Sequence, residues 1–137
     1  MKEAVREAVA KSLLLDTHVL LWIASRDARL GPSASAAIRD GRRLVFVSAA
    51  TAWEIAIKRG LGKLEAPKNY LALLDFYRFL PLDVTTEHAL TVETLEDHHL
   101  DPFDRMLVAQ ARVEDLTLVS HDARLAAYGV SYLEARE

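Results

Sequence analysis

The sequence predicts an α/β fold, with a central parallel sheet of about five strands flanked by helices. Short apolar runs alternate with segments of helical periodicity along the chain, and this alternation is typical of parallel α/β domains. The chain has 137 residues, of which 51% are hydrophobic and 27% charged, and this composition fits one globular domain with its own core. We predict an N-terminal extension over residues 1–12 and a single domain over 13–137.

The first strand and the helices after it are predicted from apolar spacing. The run Ser12 to Leu15 predicts a strand, and apolar residues recur at helical spacing over 19–23. A Gly-Pro pair at 31–32 then breaks the chain. The residues that follow predict a short helix over 33–39, with Ser33 as its N-cap.

The second strand and its helix follow one another without a loop. The apolar run LVFVS at 44–48 predicts a strand, and AATAWEIAIKRG at 49–60 predicts a helix that ends at Gly60. Lys58 and Arg59 fall in its last turn, where positive charge interacts favourably with the helix dipole.

The remaining elements alternate in the same way. Periodicity predicts further helices, in order, over 67–77, 86–95, 102–114 and 122–128. Apolar runs predict further strands over 79–82, 116–120 and 130–133. A polar loop at 97–101 precedes Pro102, a residue that suits the first position of a helix, and Gly129 ends the last helix.

Composition and charge exclude several classes of protein. Cysteine is absent, so the chain has neither disulfides nor a thiolate metal site. Apolar runs are too short to span a membrane, and the N-terminal MKEAVREAVAKS lacks the apolar core of a signal peptide. A net charge of −3 argues against a protein that coats nucleic acid. These features predict a cytoplasmic protein without a membrane partner.

Acidic residues follow the predicted strands at several points. Asp16 comes directly after the first strand, and Asp122 lies two residues beyond the LTLVS strand. Glu54 lies about one and a half turns into the helix after the second strand, and Asp104 lies in the first turn of the helix that Pro102 opens. Because ligands of such folds bind beyond the carboxyl ends of the strands, we expect these four acids to meet there.

Four neighbouring carboxylates would repel one another and raise one another's pKa unless a cation joined them. Hard oxygen ligands suit Mg²⁺ or Mn²⁺, which bridge to phosphate oxygens. Such an ion also lowers the pKa of a bound water and neutralises charge on a phosphoryl group. The cluster therefore predicts metal-dependent hydrolysis of phosphodiester bonds.

Each acid also has a purely structural interpretation. Asp16 could start a helix, Glu54 could be an exposed partner of Lys58, and Asp101 and Asp122 are suitable helix caps. Asp104 would then interact with the dipole of its helix. The prediction depends on all the acids meeting at one edge of one sheet.

Four sequence blocks resemble the PIN domain family. LLLDTHVLLW (13–22) resembles its opening. VSAATAWEIAIKRGLGKL (47–64) and HHLDPFDRMLVAQA (98–111) are similar to the second and third blocks of its toxin branch, and LVSHDARL (118–125) is similar to the fourth. That branch comprises the VapC-type ribonucleases of type II toxin–antitoxin modules. The extension before Ser12 departs from the family pattern.

The resemblance implies a role for each matching residue. Asp16, Glu54, Asp104 and Asp122 match the four metal-binding catalytic acids, and Thr17 and Ser120 match hydroxyl positions that line the site. Asp101 is an extra acid of the DPFD version, in a supporting position.

The resemblance also implies the reaction and its partners. The expected fold is a five-stranded parallel sheet flanked by helices. The expected activity is RNA cleavage with Mg²⁺ or Mn²⁺ by an activated water, leaving a 5′-phosphate and a 3′-hydroxyl. Members often form homodimers, and a cognate antitoxin protein silences them by covering the site.

An acidic chain that binds RNA needs a local basic rim. Lys58, Arg59 and Lys63 are the candidates for it. Arg105, beside Asp104, either contacts phosphate or is a solvated charge on its helix.

Other classes fit the sequence less well. A receiver-like phosphoacceptor would need a paired acid early in the chain and a late lysine, and a haloacid-dehalogenase-like phosphatase would need Asp-x-Asp where this chain has Asp16-Thr17-His18. A non-catalytic PIN-like module that binds RNA or a protein partner is the main alternative, and the retention of four acids weighs against it.

Overall fold

The computed structural model describes residues 11–97 and 101–137, which form one five-stranded sheet packed between helices. All neighbouring strands are parallel, and their order is β3-β2-β1-β4-β5. The strands are β1 (Leu13–Leu15), β2 (Val45–Ser48), β3 (Leu80–Leu82), β4 (Thr117–Ser120) and β5 (Tyr132–Glu134). The predicted α/β class and the predicted parallel sheet are confirmed.

Helices connect successive strands on both faces of the sheet. The α-helices are α1 (Thr17–Ser25), α2 (Pro32–Arg39), α3 (Ala49–Gly60), α4 (Tyr70–Tyr77), α5 (Thr86–Thr91) and α6 (Pro102–Glu114). Two 3₁₀ helices cover Val92–Thr94 and Ala123–Tyr128. Within the described residues, no helix is long and apolar enough to cross a membrane.

Several predicted element boundaries move, each for a local reason. The helix predicted over 67–77 begins at Tyr70, because the Asn69 side chain accepts the Ala72 N–H and caps it there. The segment predicted as one helix over 86–95 changes to a 3₁₀ helix at Val92. The segment after Asp122 is likewise a 3₁₀ helix rather than an α-helix.

Ser33 is not the N-cap that the sequence suggested. Gly31 caps α2 and Pro32 is its first residue. A Cβ at position 31 would collide with the backbone of Arg136 and Glu137. The Glu137 carbonyl accepts the Ser33 N–H at 2.8 Å. The last strand is also displaced from its predicted 130–133 to 132–134. Residues 1–10 of the predicted extension and 98–100 of the predicted polar loop lie outside the described residues.

The core has two layers, because side chains of a strand alternate between the faces of the sheet. Leu13 and Leu15 pack on one face with residues of α1, α3 and α4. Leu14 packs on the other face with residues of α6 and of the second 3₁₀ helix. Each fully buried leucine contributes roughly 1.5–3 kcal/mol of transfer free energy.

The strand order changes direction at β1. Chain connections run outward from β1 to β2 and β3 on one side, and from β4 to β5 on the other. In open parallel sheets, such a switch point leaves a crevice at the carboxyl ends of the two central strands. Asp16, directly after β1, lies in that crevice, where its N–H donates to the Val119 carbonyl at 3.0 Å.

Candidate active site

Asp16 is fixed at the end of β1 by two hydrogen bonds to its carboxylate. Oδ1 accepts the Val19 N–H at 2.8 Å, which makes Asp16 the N-cap of α1. Oδ2 accepts the Ser120 hydroxyl at 2.5 Å from the end of β4. The residue is 3% exposed. Helix capping therefore accounts for only one of the two carboxylate oxygens.

Glu54 enters the same crevice from α3. Its Oε1 accepts the Thr17 hydroxyl at 2.5 Å, and its Oε2 forms an ion pair with the Lys58 ammonium at 2.6 Å. The ion pair suggested by the sequence therefore exists, but Glu54 is buried, at 5% exposure, rather than on the surface.

Asp101 and Asp104 occupy the start of α6. Asp101 is the N-cap, and its carboxylate accepts the Asp104 N–H at 2.8 Å. Partial burial, together with the negative charges of Asp101, Asp16, Glu54 and Asp122, raises the pKa of Asp104 to about 7. The raised pKa of Asp104 therefore indicates that the five acids, which come from four separate segments, lie close enough to interact electrostatically.

Asp122 follows β4 and caps the second 3₁₀ helix. Its carboxylate accepts the Arg124 N–H at 3.1 Å and forms an ion pair with the Arg124 guanidinium at 2.7 Å. Hydrogen bonds from Arg124 lower the pKa of Asp122 below its usual value. The Ser120 hydroxyl, which donates to Asp16, also accepts the Asp122 N–H at 3.1 Å and so joins the two acids.

His121, the residue before Asp122, is a further neighbour of this cluster. Its Nδ1 lies 3.8 Å from Asp16 Oδ2, and the Asp16 carboxylate raises the pKa of the imidazole. The ring packs edge-on against His18 at a centroid distance of 4.9 Å, and Trp22 lies at 5.2 Å. This packing becomes visible only when β1 and β4 are placed side by side.

The acids lie near one another, but they do not form a complete coordination site for an ion. Among residues 11–97 and 101–137, no three carboxylates or imidazoles are close enough together to hold one metal ion. The two outer acids, Glu54 and Asp122, are bound by Lys58 and Arg124. The oxygens of the four acids are hard donors of the kind Mg²⁺ prefers, so the chemistry of the donor set fits a divalent cation.

The predicted basic rim is mostly engaged within the protein. Lys58 binds Glu54, and the Arg59 guanidinium donates to the Pro67 carbonyl at 2.6 Å. Lys63 is exposed.

Arg105 has a structural role that the sequence did not predict. Its guanidinium donates to the carbonyls of Val92 and Glu96 at 3.2 and 3.0 Å and to the Tyr128 hydroxyl at 3.2 Å. The guanidinium is therefore engaged by groups of the protein, and its contact with RNA phosphate stays a prediction.

Comparison with known proteins places the fold. The family model described as PIN domain matches residues 13–130. No curated protein matches the chain in sequence.

Several solved structures are similar to this chain in fold. A chain of the VapBC2 structure from Rickettsia felis, bound to a DNA fragment from their promoter, has a TM-score of 0.67 and 13% identity, over 89% of this chain and 97% of that one. A chain of the DNA-bound VapBC structure from Salmonella typhimurium has a TM-score of 0.65 and 20% identity, over 91% and 98%. A chain of a toxin-antitoxin complex from Klebsiella pneumoniae has a TM-score of 0.63 and 16% identity, over 90% of this chain and 98% of that one. At these identities, the likeness establishes the fold alone.

Proposed function

This chain belongs to the PIN domain family, and we propose that it is a metal-dependent endoribonuclease, the toxin of a toxin–antitoxin pair. The observation that carries the proposal is the gathering of Asp16, Glu54, Asp104 and Asp122 at the switch point of the sheet. The raised pKa of Asp104 supports that gathering, because it is caused by burial and by the charges of the neighbouring acids Asp101, Asp16, Glu54 and Asp122. An enzyme that cleaves cellular RNA acts in the cytoplasm, and we propose that location for it.

The four acids would hold Mg²⁺ or Mn²⁺. When bound, the cation would stabilise charge on the scissile phosphate and make a water a better nucleophile. Thr17 and Ser120 orient the site, because their hydroxyls fix one oxygen each of Glu54 and Asp16. Asp101 holds the start of α6 and so sets the position of Asp104.

Proton transfer can be assigned to particular atoms of the chain. With its pKa near 7, the Asp104 carboxyl carries a proton for part of the time at neutral pH in the metal-free protein. It must release that proton to bind a cation as a carboxylate. His121, beside Asp16, is a further group able to exchange a proton within the crevice.

The double variant Asp16→Asn, Asp104→Asn tests the function. We expect it to lose RNA cleavage by at least 100-fold while its circular dichroism spectrum stays native, because it loses two central acids and little volume. Wild-type cleavage should stop in EDTA and return with Mg²⁺ or Mn²⁺. The control is Asp115→Asn, which removes an exposed acid at the far end of α6.

Cleaved ends provide a second readout, since hydrolysis by water should leave a 5′-phosphate and a 3′-hydroxyl. Wild-type rates in the purified double variant would disprove the assignment of the acids.

A non-catalytic RNA- or partner-binding module is the second candidate. The absence of a closed group of three metal ligands among the described residues favours it. Calorimetric titration with Mn²⁺ separates the two functions, because the enzyme should bind the ion at micromolar to millimolar concentration and the module should not.

An antitoxin partner is supported by an arginine-rich cleft. The cleft has a volume of about 910 Å³ and is lined by four arginines whose side chains form no ion pair or hydrogen bond with other described residues: Arg26, Arg39, Arg43 and Arg78. Its two acids, Asp27 and Asp40, are already paired with other arginines. The exposed Phe76 and the buried Trp22 also line it.

A path leads from this arginine cleft toward the acids. Trp22 and Asp27 also line a second, smaller groove that reaches His18, and His18 packs against His121 beside Asp16. We therefore propose that an acidic, amphipathic segment of the antitoxin binds the cleft and continues toward the active site.

A homodimer is supported by an apolar stripe on α3. Trp53, Ile57 and Leu61 recur every four residues and are 64%, 39% and 63% exposed. Phe103 of α6 packs edge-on against Trp53 at 5.3 Å and widens the surface. An exposed apolar surface of this kind marks a protein interface, and we propose a second copy of the chain as its partner.

A further inference from the structure

The carboxylate of Glu54 has an internal counterion that reaches it from the surface. The Glu54 side chain is 6% exposed and the Lys58 side chain 40%, and their charged atoms are 2.6 Å apart. An ordinary Glu–Lys pair one helical turn apart lies in solvent and contributes only a few tenths of a kcal/mol. Here the acid is buried, so removal of the ammonium would leave an uncompensated charge in the crevice.

The ammonium of Lys58 also lies where the negative charge of the cluster is concentrated. Its pKa is raised by Glu54 first, and also by the charges of Asp101 and Asp104. The other oxygen of Glu54 is occupied by the Thr17 hydroxyl, at 2.5 Å. Lys58 therefore stands on the side of Glu54 that another cation would have to approach.

We propose that Lys58 is a tethered cation that competes with the divalent ion for Glu54 and so sets the metal concentration at which the site fills. The inference rests on the proposed metal-dependent function. A divalent ion and an ammonium at the same carboxylate oxygen repel each other strongly in a partly buried site. The exposed outer part of the lysine side chain gives it room to turn toward solvent when the ion binds.

The pair has a second effect, on the metal-free protein. Lys58 offsets the charge of Glu54 and keeps α3 close to α1, where Thr17 holds the other oxygen of the same carboxylate. Lys58 is thus a positioning residue for Glu54.

Calorimetric titration of the chelator-treated protein with Mn²⁺ tests the inference. We expect Lys58→Met to bind Mn²⁺ roughly tenfold more tightly than wild type, because one competing positive charge is lost. Lys58→Arg, which keeps the charge, should stay within about twofold of wild type. Lys63→Met is the matched control, because it removes an exposed lysine that has no described partner, five residues along the chain.

Thermal melting gives a readout that does not depend on activity. Metal-free Lys58→Met should melt at a lower temperature than wild type, and saturating Mn²⁺ should raise its melting temperature by more than it raises that of wild type. Should Lys58→Met fail to fold, Lys58→Gln removes the charge while it retains a hydrogen-bond donor for Glu54.

The outcomes separate the two levels of the proposal. Equal Mn²⁺ affinity in wild type and in the uncharged Lys58 variants would overturn the role of Lys58 and leave the nuclease function standing. If neither wild type nor any variant binds Mn²⁺, both the inference and the metal-dependent function are wrong.

Discussion

At the residue scale, Asp104 is the acid whose chemistry the cluster changes most. Burial and four neighbouring carboxylates raise its pKa from 3.8 to about 7. The folded protein therefore binds a proton at Asp104 between about pH 4 and pH 7, a range in which the unfolded chain has already released it. Stability is lost as the pH rises through that range, because the folded state must then hold an unfavourable charge.

We expect Asp104→Asn to stabilise the metal-free protein, and increasingly so between pH 4 and pH 7. Well below pH 4 the variant and wild type should melt alike, since the carboxyl is then neutral in both states. At pH 8 the gain should be on the order of 1–3 kcal/mol, after allowance for the solvent screening of a half-buried group. Melting in EDTA across this pH range measures the effect.

Asp115→Asn is the control for this pH series, because Asp115 is an exposed acid at the other end of the same helix. Its melting temperature relative to wild type should not follow the same trend. The assigned pKa would be contradicted if the difference in melting temperature between Asp104→Asn and wild type stayed constant or fell from pH 4 to pH 8. The gain should also vanish with saturating Mn²⁺, because the wild-type carboxylate then has a cation beside it.

The residue scale also shows that the local pattern around Asp122 does not by itself mark a site. Asp27, Asp40 and Asp122 each accept the N–H of the residue two positions later and bind the guanidinium of the same arginine. The same Asp-x-Arg pattern therefore occurs at two surface turns and at the site. The position of Asp122 after a strand, which the sequence already indicated, is what distinguishes it.

At the element scale, Arg105 connects three segments. From α6 its guanidinium reaches two carbonyls around the first 3₁₀ helix, of Val92 and Glu96, and the hydroxyl of Tyr128 in the second. Helix ends leave carbonyl groups without intrahelical partners, and a buried carbonyl without a donor is costly. Arg105 thus stabilises the packing of α6, whose first turn carries Asp104.

We expect Arg105→Met to lower the free energy of unfolding by about 2–4 kcal/mol, because several charge-assisted hydrogen bonds are lost together. Urea denaturation measures the loss. Arg42→Met is the control, because Arg42 forms an exposed ion pair with Asp40 that contributes about 0–1 kcal/mol.

RNA affinity separates this structural role from the phosphate contact that the sequence suggested. Measured by fluorescence anisotropy in an inactive Asp16→Asn background, the affinity should be unchanged by Arg105→Met at a temperature where the variant is folded. A drop in RNA affinity of fivefold or more would show that Arg105 also contacts RNA.

Element types were predictable from apolar spacing, whereas several element ends were not. The start of α4 depends on Asn69, a suitable cap that is the third residue of the helix predicted from Pro67. The start of α2 depends on Glu137, which is distant in sequence but whose carbonyl accepts the Ser33 N–H. Ends set by such contacts are invisible to a local pattern.

At the scale of the whole molecule, the strand order explains how distant acids meet. The switch between β1 and β4 brings the ends of these strands together, and the helices after β2 and before β4 contribute Glu54 and Asp104. That convergence could be predicted from a general rule for parallel sheets. Which acids the chain neutralises with its own cations could not, because it depends on side-chain contacts such as Lys58 with Glu54.

The two proposed interfaces lie on different parts of the molecule. The apolar stripe is on the outside of α3, next to the acids. The arginine cleft is lined by Val45 and Phe79, at or just before the first residues of β2 and β3, so it opens toward the opposite edge of the sheet. At the cleft, the proposed antitoxin would therefore leave the apolar stripe accessible to a second copy, and only its continuation toward the active site would approach the stripe.

Reciprocal variants test this division. We expect Ile57→Glu to convert a dimer to a monomer in light scattering, because it places a charge in the apolar stripe. It should still co-purify with the proposed antitoxin when the two are expressed together. Arg26→Glu with Arg78→Glu should lose the antitoxin while it stays dimeric, since an acidic segment would then meet like charge. The division into two separate interfaces would be contradicted by a folded variant that loses both the second copy and the antitoxin. It would also be contradicted if neither variant lost either partner.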